Sequence, residues 1–252
     1  MEINNSEVIF DKKKNANRYL ITLLIGAVLF ILLTLVYSFS AKMALNAKGG
    51  SSLEDENTYY SVLSIIQFLY QIPIAFFFIF MLKDDFKNDL KVFGKNPVKN
   101  VAIITIGMIL CLVLTYAIGS VYEYFGITDT SNNQETIDFA LTSGGKVFMA
   151  ISVVLLAPFV EEVLFRMSLC LTLKYRFNVP AVVVIIISTL IFSFMHVTDI
   201  ESIIFIFQYI PLALVIVLSY YFSKSIYVPL TIHFLNNLAS VIIAFLTIGM
   251  GE

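Results

Sequence analysis

The chain has few charged residues. Asp, Glu, Lys and Arg make up 13% of its 252 residues, hydrophobic residues make up 59%, and the mean hydropathy is +0.88. A soluble globular domain is about one quarter charged, so this composition excludes an ordinary soluble domain and indicates an integral membrane protein. The net charge of −2 leaves no surplus of basic residues, which argues against a nucleic-acid partner.

Several sequence signatures are also missing. The two cysteines, Cys111 and Cys170, lie far apart in apolar segments, which excludes a disulfide framework. The patterns GxSxG, HExxH and the P-loop are absent, so these common catalytic and nucleotide-binding signatures cannot explain the function. The chain shows no internal repeat, and an inverted-repeat transporter with a buried proton relay is therefore not favoured.

Seven apolar stretches are long enough to cross a bilayer, which requires about 17 to 25 residues in a helix. They are residues 19–40, 59–82, 101–123, 147–173, 179–198, 202–222 and 226–248. These stretches predict an all-α fold, a polytopic transmembrane helix bundle of about seven spans with a buried polar catalytic cavity. The longest connection, about residues 124–146, predicts a short amphipathic helix from Gln134 to Leu141 at the membrane surface.

The distribution of Lys and Arg predicts the orientation of the helices. Over alternate segments between the stretches, 13 of the 16 Lys and Arg residues fall on the side of the N-terminus and 3 on the other side. Cytoplasmic loops carry the excess of basic residues. The sequence therefore predicts a cytoplasmic N-terminus and a C-terminus on the outside.

The segment APFVEEVLFR, residues 157–166, places two glutamates and an arginine inside an apolar stretch. Ionisable side chains within a span are costly and require a partner or a function. Glu162 and Arg166 are four residues apart on one helix face, which predicts an ion pair. Glu161 lies about 100° around the helix from Glu162 and is the predicted working carboxylate. The alternative is a helix that ends near Phe159 and leaves these charges in water.

Both histidines of the chain fall in or beside apolar stretches. His196 ends the segment FSFMH, residues 192–196, and shares a helix face with Phe192. Together with Glu161, His196 could orient and deprotonate a water molecule. The simpler alternative for a single histidine in a span is an interhelical hydrogen bond.

His233 begins the segment HFLNN, residues 233–237. His233 and Asn237 share one helix face and supply hydrogen-bond donors for a developing oxyanion, as acyl transfer requires. Asn236 lies about 100° from Asn237 and competes for this role. Helical phase with His233 favours Asn237.

These three segments resemble the motifs of the CPBP family, which comprises CAAX proteases and bacteriocin-processing, or Abi, proteins. EEVLFR is similar to the family's E-E-x-x-x-R, FSFMH to F-x-x-x-H and HFLNN to H-x-x-x-N, in the family's order within residues 147–248. The resemblance implies an intramembrane endopeptidase of the glutamic type. It implies that Glu161 and His196 activate water and that His233 and Asn237 form the oxyanion site.

Glu162, Arg166 and Phe192 are the residues predicted to support this site. The apolar stretches, the distribution of Lys and Arg and the resemblance together predict the organisation of the chain. The chain is predicted to divide into a cytoplasmic N-terminal segment (1–18), N-terminal transmembrane helices and loops (19–146) and a CPBP-like catalytic helical core (147–252).

The resemblance further implies a substrate bound to the lipid bilayer and cleaved near the cytoplasmic face. In bacterial members this is a peptide or protein such as a bacteriocin or signalling-peptide precursor, and in eukaryotic members it is a prenylated protein. A composition rich in Lys, Asn and Ile is typical of AT-rich bacterial genomes. We therefore expect an integral protein of a bacterial cell membrane that matures peptides.

Two alternatives to a metal-free protease stay open. Glu161, His196 and His233 could bind zinc with an open position for water, as in a metalloprotease. The metal-free mechanism is favoured because the His233 and Asn237 pair suits an oxyanion and because Arg166 engages Glu162. A non-catalytic bacteriocin-immunity or signalling scaffold of the same fold is the other alternative.

The depths of the three motifs are in conflict. Hydropathy places Glu161 in the middle of its span, His233 in the cytoplasmic third and His196 near the outer end of its span. For the three to meet, the helix that carries His196 must tilt or end below the outer surface, with the segment VTDIES dipping inward. Non-helical backbone at depth is tolerated where it lines a water-filled cavity.

Overall fold

The computed structural model describes residues 12–48, 53–127, 129–197 and 201–250, and these ranges contain helices and no strand. The helices are α1 (Ala16–Lys48), α2 (Leu53–Lys95), α3 (Pro97–Tyr124), α4 (Asn132–Thr142), α5 (Lys146–Arg176), α6 (Ala181–Phe194), α7 (Ile206–Ser223) and α8 (Tyr227–Met250). A 3₁₀ turn, Glu201–Phe205, precedes α7. Helix α4 matches the predicted amphipathic helix and is capped by Ser131, whose hydroxyl accepts the Gln134 N–H.

In these described ranges, five helices are long and apolar enough to cross a membrane, and two shorter apolar helices accompany them. The five are Glu56–Lys95, Pro97–Tyr124, Lys146–Arg176, Ser202–Ser223 and Tyr227–Thr247, and the shorter two are Ala16–Leu32 and Ala181–Phe194. Each coincides with one of the seven predicted stretches. Large apolar side chains such as Phe80, Leu112 and Ile243 are exposed on the outer faces, as a lipid-facing surface requires. The prediction of an all-α polytopic membrane bundle is confirmed, and the protein is an integral membrane protein.

Helix α2 is broken at Leu82, whose φ of −119° and ψ of 19° are not helical. The break coincides with the predicted end of the second span. Residues 83–95, which follow as a polar segment in the sequence, resume the helix beyond the break. This segment carries Asp85 and Asp89, and both carboxylates are buried.

The helices run between two ends of the bundle that differ in charge. The lysine-rich end comprises the start of α1, residues 83–99, the α5–α6 link and the α7–α8 turn. It carries 12 of the 16 Lys and Arg residues: Lys12, Lys13, Lys14, Arg18, Lys83, Lys87, Lys91, Lys95, Lys99, Lys174, Arg176 and Lys224. The lysine-poor end comprises the end of α1, the start of α2, α4, the end of α6 and the start of α7. It carries Lys42, Lys48 and Lys146.

Buried polar contacts close the lysine-rich end. Asp85 accepts a hydrogen bond from the Tyr19 hydroxyl at 2.6 Å. Asp89 accepts the backbone N–H of Ile226 at 2.9 Å and pairs with Lys12 at 3.4 Å. These contacts join residues 83–95 to the start of α1 and to the α7–α8 turn.

Helix α5 lies at the centre of the bundle and is only partly a regular α-helix. Its segments Ser152–Leu156, Val163–Cys170 and Thr172–Arg176 are π-helical, and they flank the α-helical segment Ala157–Glu162. Pro158, which lacks a backbone N–H, lies at the start of that segment. Wide π turns are frequent at functional sites, and here they flank the two glutamates.

Candidate active site

Glu162 and Arg166 form the ion pair that their spacing predicts. The Arg166 Nε lies 3.1 Å from the Glu162 Oε2, and neither side chain is exposed. The Ser188 hydroxyl lies 3.4 Å from Arg166 Nη1. Because both charges are fully buried, this segment is not a helix end in water. A buried pair of this kind is tolerated where each charge keeps its partner.

His233 makes a second contact with Glu162. Its Nδ1 lies 3.0 Å from the Glu162 Oε1, so the imidazole and the guanidinium of Arg166 engage different oxygens of one carboxylate. An ionised carboxylate only accepts hydrogen bonds, so Nδ1 carries the proton in this contact. Glu162 therefore fixes the orientation of the His233 ring, and Nε2 points to Glu161.

Glu161 lies between the two imidazoles. Its Oε2 is 3.9 Å from His196 Nε2 and 3.8 Å from His233 Nε2. These distances are too long for direct hydrogen bonds and suit polar groups bridged by one water. Oε2 is buried and has no hydrogen-bond partner among the described residues, while the side chain as a whole is 13% exposed.

His196 reaches this depth because α6 is short. The helix has 14 residues and ends at Phe194, before the predicted end at residue 198. It is therefore about 21 Å long, against about 30 Å for the hydrocarbon core. The His196 Nδ1 lies 2.9 Å from the Phe192 carbonyl, which fixes the proton on Nδ1 and leaves Nε2 as an acceptor. Within the segment VTDIES, residues 198–200 lie outside the described residues.

Phe192 packs among the polar groups of the site. Its ring centroid lies 4.8 Å from that of His196 and 5.7 Å from that of His233. The Arg166 guanidinium lies 4.9 Å from the same ring, within cation–π distance. Phe192 is fully buried, so it holds both imidazoles at fixed positions.

Asn236 and Asn237 both line a cavity that Glu161 also lines. Asn237 donates from Nδ2 to the Val153 carbonyl at 2.9 Å, and its Oδ1 accepts from Asn236 at 3.3 Å. Val153 belongs to the π-helical segment that precedes Glu161. One N–H of the Asn237 amide remains for a ligand, and Asn236 holds that amide in place.

This cavity has a volume of about 370 Å³, and residues outside the three motifs also line it. From the motifs, its lining residues are Glu161, Phe192, His196, His233, Asn236 and Asn237. Gln67 of α2, Gln134 and Asp138 of α4, and Tyr209 of α7 add polar groups to its wall. Gln134 donates to Asp138 at 2.8 Å. Partial burial raises the pKa of the Asp138 carboxyl above its ordinary value, and the hydrogen bond from Gln134 opposes this in part.

Tyr209 is a residue that the motifs do not indicate. Its ring stacks on the His196 ring with a centroid distance of 4.6 Å. Its hydroxyl is hydrogen-bonded to the Ser131 hydroxyl that caps α4, and Asn133 lies 3.5 Å away. Tyr209 thereby connects α4 to the imidazole of His196. No periodic pattern in α7 marks it among the 13 tyrosines of the chain.

The zinc alternative requires three donors around one ion. Among the described residues, no group of three or more His, Cys, Asp and Glu side chains is placed to hold a metal ion. Glu161, His196 and His233 converge, and the Glu161 Oε2 lies 3.9 Å and 3.8 Å from the two Nε2 atoms. We therefore assign no chemical step to a metal.

Comparison with known proteins identifies a family for one part of the chain. No curated protein and no solved structure matches the chain. Residues 143–239 match the family described as Rce1-like, type II CAAX prenyl endopeptidase. The matched range contains all three motifs and all four predicted catalytic residues. The family is one of membrane peptidases, and it agrees with the CPBP resemblance of the sequence. This similarity to the Rce1-like type II CAAX prenyl endopeptidases covers 97 of the 252 residues of the chain.

Proposed function

We propose that the protein is an intramembrane glutamic endopeptidase that hydrolyses a peptide bond of a membrane-associated peptide or protein. The observation that carries the proposal is the position of Glu161, whose buried Oε2 faces the Nε2 atoms of His196 and His233. Both nitrogens lie at a distance that one water spans. The family match supports a peptidase, and the geometry supports these residues as its catalytic groups.

Water activation follows from the hydrogen-bond directions. The carboxylate of Glu161 and the Nε2 of His196 are both acceptors, so a water between them donates one proton to each and turns a lone pair to the substrate carbonyl. Glu161 takes a proton as the water oxygen bonds to the carbonyl carbon. The C–N bond then breaks, and Glu161 returns this proton to the leaving amine. The second water proton is lost when the new carboxyl group ionises.

The oxyanion site requires donors. His233 holds one proton on Nδ1 against Glu162, so donation from Nε2 requires the doubly protonated imidazolium. The imidazolium, Glu161, Glu162 and Arg166 then form a cluster of two positive and two negative charges, so each charge has an opposite charge beside it. The free N–H of Asn237 is the second donor.

The test uses purified protein and a membrane-anchored peptide library. Glu161→Gln is expected to lower the cleavage rate about 10²- to 10⁴-fold, the usual contribution of a general base. His196→Gln is expected to lower it similarly. Glu135→Gln, an exposed carboxylate on α4, is the matched control and should retain full activity. Cleavage that survives both Glu161→Gln and His196→Gln would contradict the mechanism.

The zinc-dependent alternative is tested on the same protein. We propose a metal-free site because Glu162 is held by both Arg166 and His233 and so cannot serve as a further ligand. Full activity after exhaustive chelation, with no stoichiometric metal by elemental analysis, is the expected result. Activity that is lost on chelation and restored by zinc would establish the metalloprotease.

The biological role proposed is peptide maturation in a bacterial cell membrane, with a bacteriocin or signalling-peptide precursor as substrate. The same proposal includes the division of the chain into a cytoplasmic N-terminal segment (1–18), N-terminal transmembrane helices and loops (19–146) and a catalytic helical core (147–252). A non-catalytic immunity or signalling scaffold is the alternative. Immunity or signalling that persists in the Glu161→Gln variant would support this scaffold role.

A further inference from the structure

A second cavity, separate from the catalytic one, lies at the lysine-rich end. It has a volume of about 60 Å³ and is formed by the end of α5, the start of α6, the end of α7 and Lys12, which precedes α1. At about 10–15 Å³ for each ordered water, it has room for about five small polar atoms, the size of a phosphate group. None of its lining residues lines the catalytic cavity.

Two lysines meet at one aromatic ring of this cavity. The Lys224 Nζ lies 4.0 Å from the centroid of the Tyr221 ring, and the Lys174 Nζ lies 5.8 Å from it. Among the described residues, neither lysine takes part in an ion pair with a carboxylate. The third lysine, Lys12, is paired with Asp89. Two positive charges therefore face the cavity without a negative partner.

The lysines around Lys224 repel its charge. Burial, followed by the charges of Lys174, Lys12 and Lys99, lowers the pKa of Lys224 to about 8. A lowered pKa means that the folded protein holds the charged ammonium at a cost in free energy. An anion bound between these lysines would offset this cost by Coulomb attraction.

Tyr220 of α7 adds an unsatisfied hydroxyl to the wall of the same cavity. The residue is 7% exposed, and its Oη is buried without a hydrogen-bond partner among the described residues. The Lys12 Nζ lies 5.8 Å from the centroid of the Tyr220 ring. A buried hydroxyl that lacks a hydrogen bond is destabilising, and a phosphate oxygen would accept one from it. This hydroxyl therefore indicates a ligand that accepts hydrogen bonds.

Apolar side chains form the rest of the wall. Val184 of α6 and Val217 of α7 line the cavity and pack with Cys170 in one buried hydrophobic cluster. Beside them, Val182 and Ile186 of α6 are exposed and extend the lipid-facing surface. A site that joins cations and a hydroxyl to a lipid-facing surface matches a phospholipid, in which a phosphate is linked to acyl chains.

We infer that this second cavity binds the phosphate headgroup of an anionic membrane phospholipid. Lys174 and Lys224 supply the charged contacts, and the Tyr220 hydroxyl donates a hydrogen bond. Basic pockets between transmembrane helices bind such headgroups. The site joins the ends of α5, α6 and α7, so a bound lipid stabilises the packing of these three helices. The inference is independent of the proposed function.

Thermal unfolding of the purified protein in a neutral detergent tests the site. The probe is dioctanoylphosphatidylglycerol, compared with dioctanoylphosphatidylcholine and with inorganic phosphate at the same concentrations. A ligand that binds only the folded state raises the unfolding midpoint. We expect a rise with phosphatidylglycerol and almost none with the other two probes. An equal rise with phosphatidylcholine would overturn the anionic site, and an equal rise with inorganic phosphate would overturn the assignment to a lipid.

Two double variants test the lysines. Lys174→Gln with Lys224→Gln should raise the half-saturating concentration of phosphatidylglycerol about 30-fold, since each lysine beside an anionic lipid contributes about fivefold. Lys87→Gln with Lys91→Gln removes the same charge from exposed positions at the same end, outside the cavity, and is the matched control. Equal losses in the two double variants would reduce the effect to net charge and overturn the site.

Tyr220→Phe gives a test that keeps every charge. Without lipid, this variant should be at least as stable as the unsubstituted protein, because it removes an unsatisfied buried hydroxyl. With phosphatidylglycerol, its midpoint should rise less than that of the unsubstituted protein, because the hydrogen bond to the headgroup is lost. Equal rises in the two proteins would overturn the assignment of this hydroxyl to the site.

Discussion

Glu161 and Glu162 are adjacent in sequence and have different surroundings. Glu162 is fully buried and is bound by Arg166 through one oxygen and by His233 through the other. Glu161 is partly exposed to the cavity, and its Oε2 is without a partner among the described residues. A carboxylate whose two oxygens already contact Arg166 and His233 must give up one of these contacts to take a proton from water. The position of each glutamate on the helix therefore separates Glu162, which is held by Arg166 and His233, from Glu161, the proposed general base.

Replacing Glu162 tests this separation. Glu162→Gln leaves the buried guanidinium of Arg166 without its counter-charge, and breaking a buried pair in this way costs about 3–5 kcal/mol. We expect a lower midpoint of thermal unfolding in detergent. Glu161→Gln, which breaks no ion pair with Arg166, should leave that midpoint nearly unchanged.

A double variant provides the control for the Glu162 prediction. Glu162→Gln combined with Arg166→Met removes both charges, so it should be more stable than Glu162→Gln alone. A double variant as unstable as the single variant would show that the charge of Arg166 is not the cause of the instability.

At the level of single residues, much of the site is predictable from the sequence. The spacing of Glu162 and Arg166 gives their contact because helix geometry is local. The contact between His233 and Glu162 is not predictable in this way, since the two residues lie on different helices and are 71 residues apart in sequence. The stacking of Tyr209 on His196 escapes prediction for the same reason, as periodicity places a residue on a face and does not name its neighbour.

Tyr209 of α7 contacts both Ser131, which caps α4, and the ring of His196. We predict that Tyr209 positions this imidazole. Tyr209→Phe removes the hydroxyl that bonds to Ser131 and keeps the ring that stacks on His196. Tyr209→Leu removes both. We expect Tyr209→Leu to lower kcat about tenfold with little change in KM, and Tyr209→Phe to retain most of kcat. Equal losses of kcat in the two variants would assign the effect to the link with α4 rather than to the stacked ring.

The pKa of Asp138 predicts a pH dependence of stability. Burial raises this pKa in the folded protein, so the folded state holds the proton more tightly than the unfolded state. Stability therefore falls as pH rises through the ordinary pKa of 3.8 toward the raised value, and the cost is fully present above it. Asp138→Asn removes this cost.

Thermal unfolding at two pH values checks the Asp138 prediction. Asp138→Asn should be more stable than the unsubstituted protein at pH 7, and this advantage should disappear below the ordinary pKa. Asp129→Asn is the control because Asp129 is exposed outside α4. An advantage for Asp138→Asn that is independent of pH would contradict the prediction.

At the level of helices, the sequence predicts the spans and does not predict their irregularities. The seven stretches follow from hydropathy because the bilayer sets a minimum apolar length. The π-helical turns of α5 and the early end of α6 depend on packing around the cavity and leave no mark in hydropathy. Asn237 donates a hydrogen bond to Val153 in the first of these π-helical turns, and His196 follows the early end of α6. The depth conflict among the motifs is resolved by these two irregularities.

The whole bundle combines a closed half with an open half. The lysine-rich half contains the buried contacts of Asp85 and Asp89. The open half carries the proposed catalytic groups, and the exposed polar residues Thr115 and Ser240 line the cavity between α3 and α8. We predict that the substrate enters through this lateral gap between the described residues of α3 and α8, and this path can be tested.

Two exposed glycines allow a matched test of this path. Gly119 lines the cavity, and Gly94 lies at the lysine-rich end, and a Cβ at either meets no heavy atom within 4 Å. Gly119→Trp should fill the gap between α3 and α8 and lower kcat/KM by about tenfold or more. Gly94→Trp should leave kcat/KM unchanged, and both variants should fold, since both glycines are exposed and a Cβ at either position meets no heavy atom within 4 Å. Loss of activity in Gly94→Trp with full activity in Gly119→Trp would place the path of the substrate at the other end of the bundle.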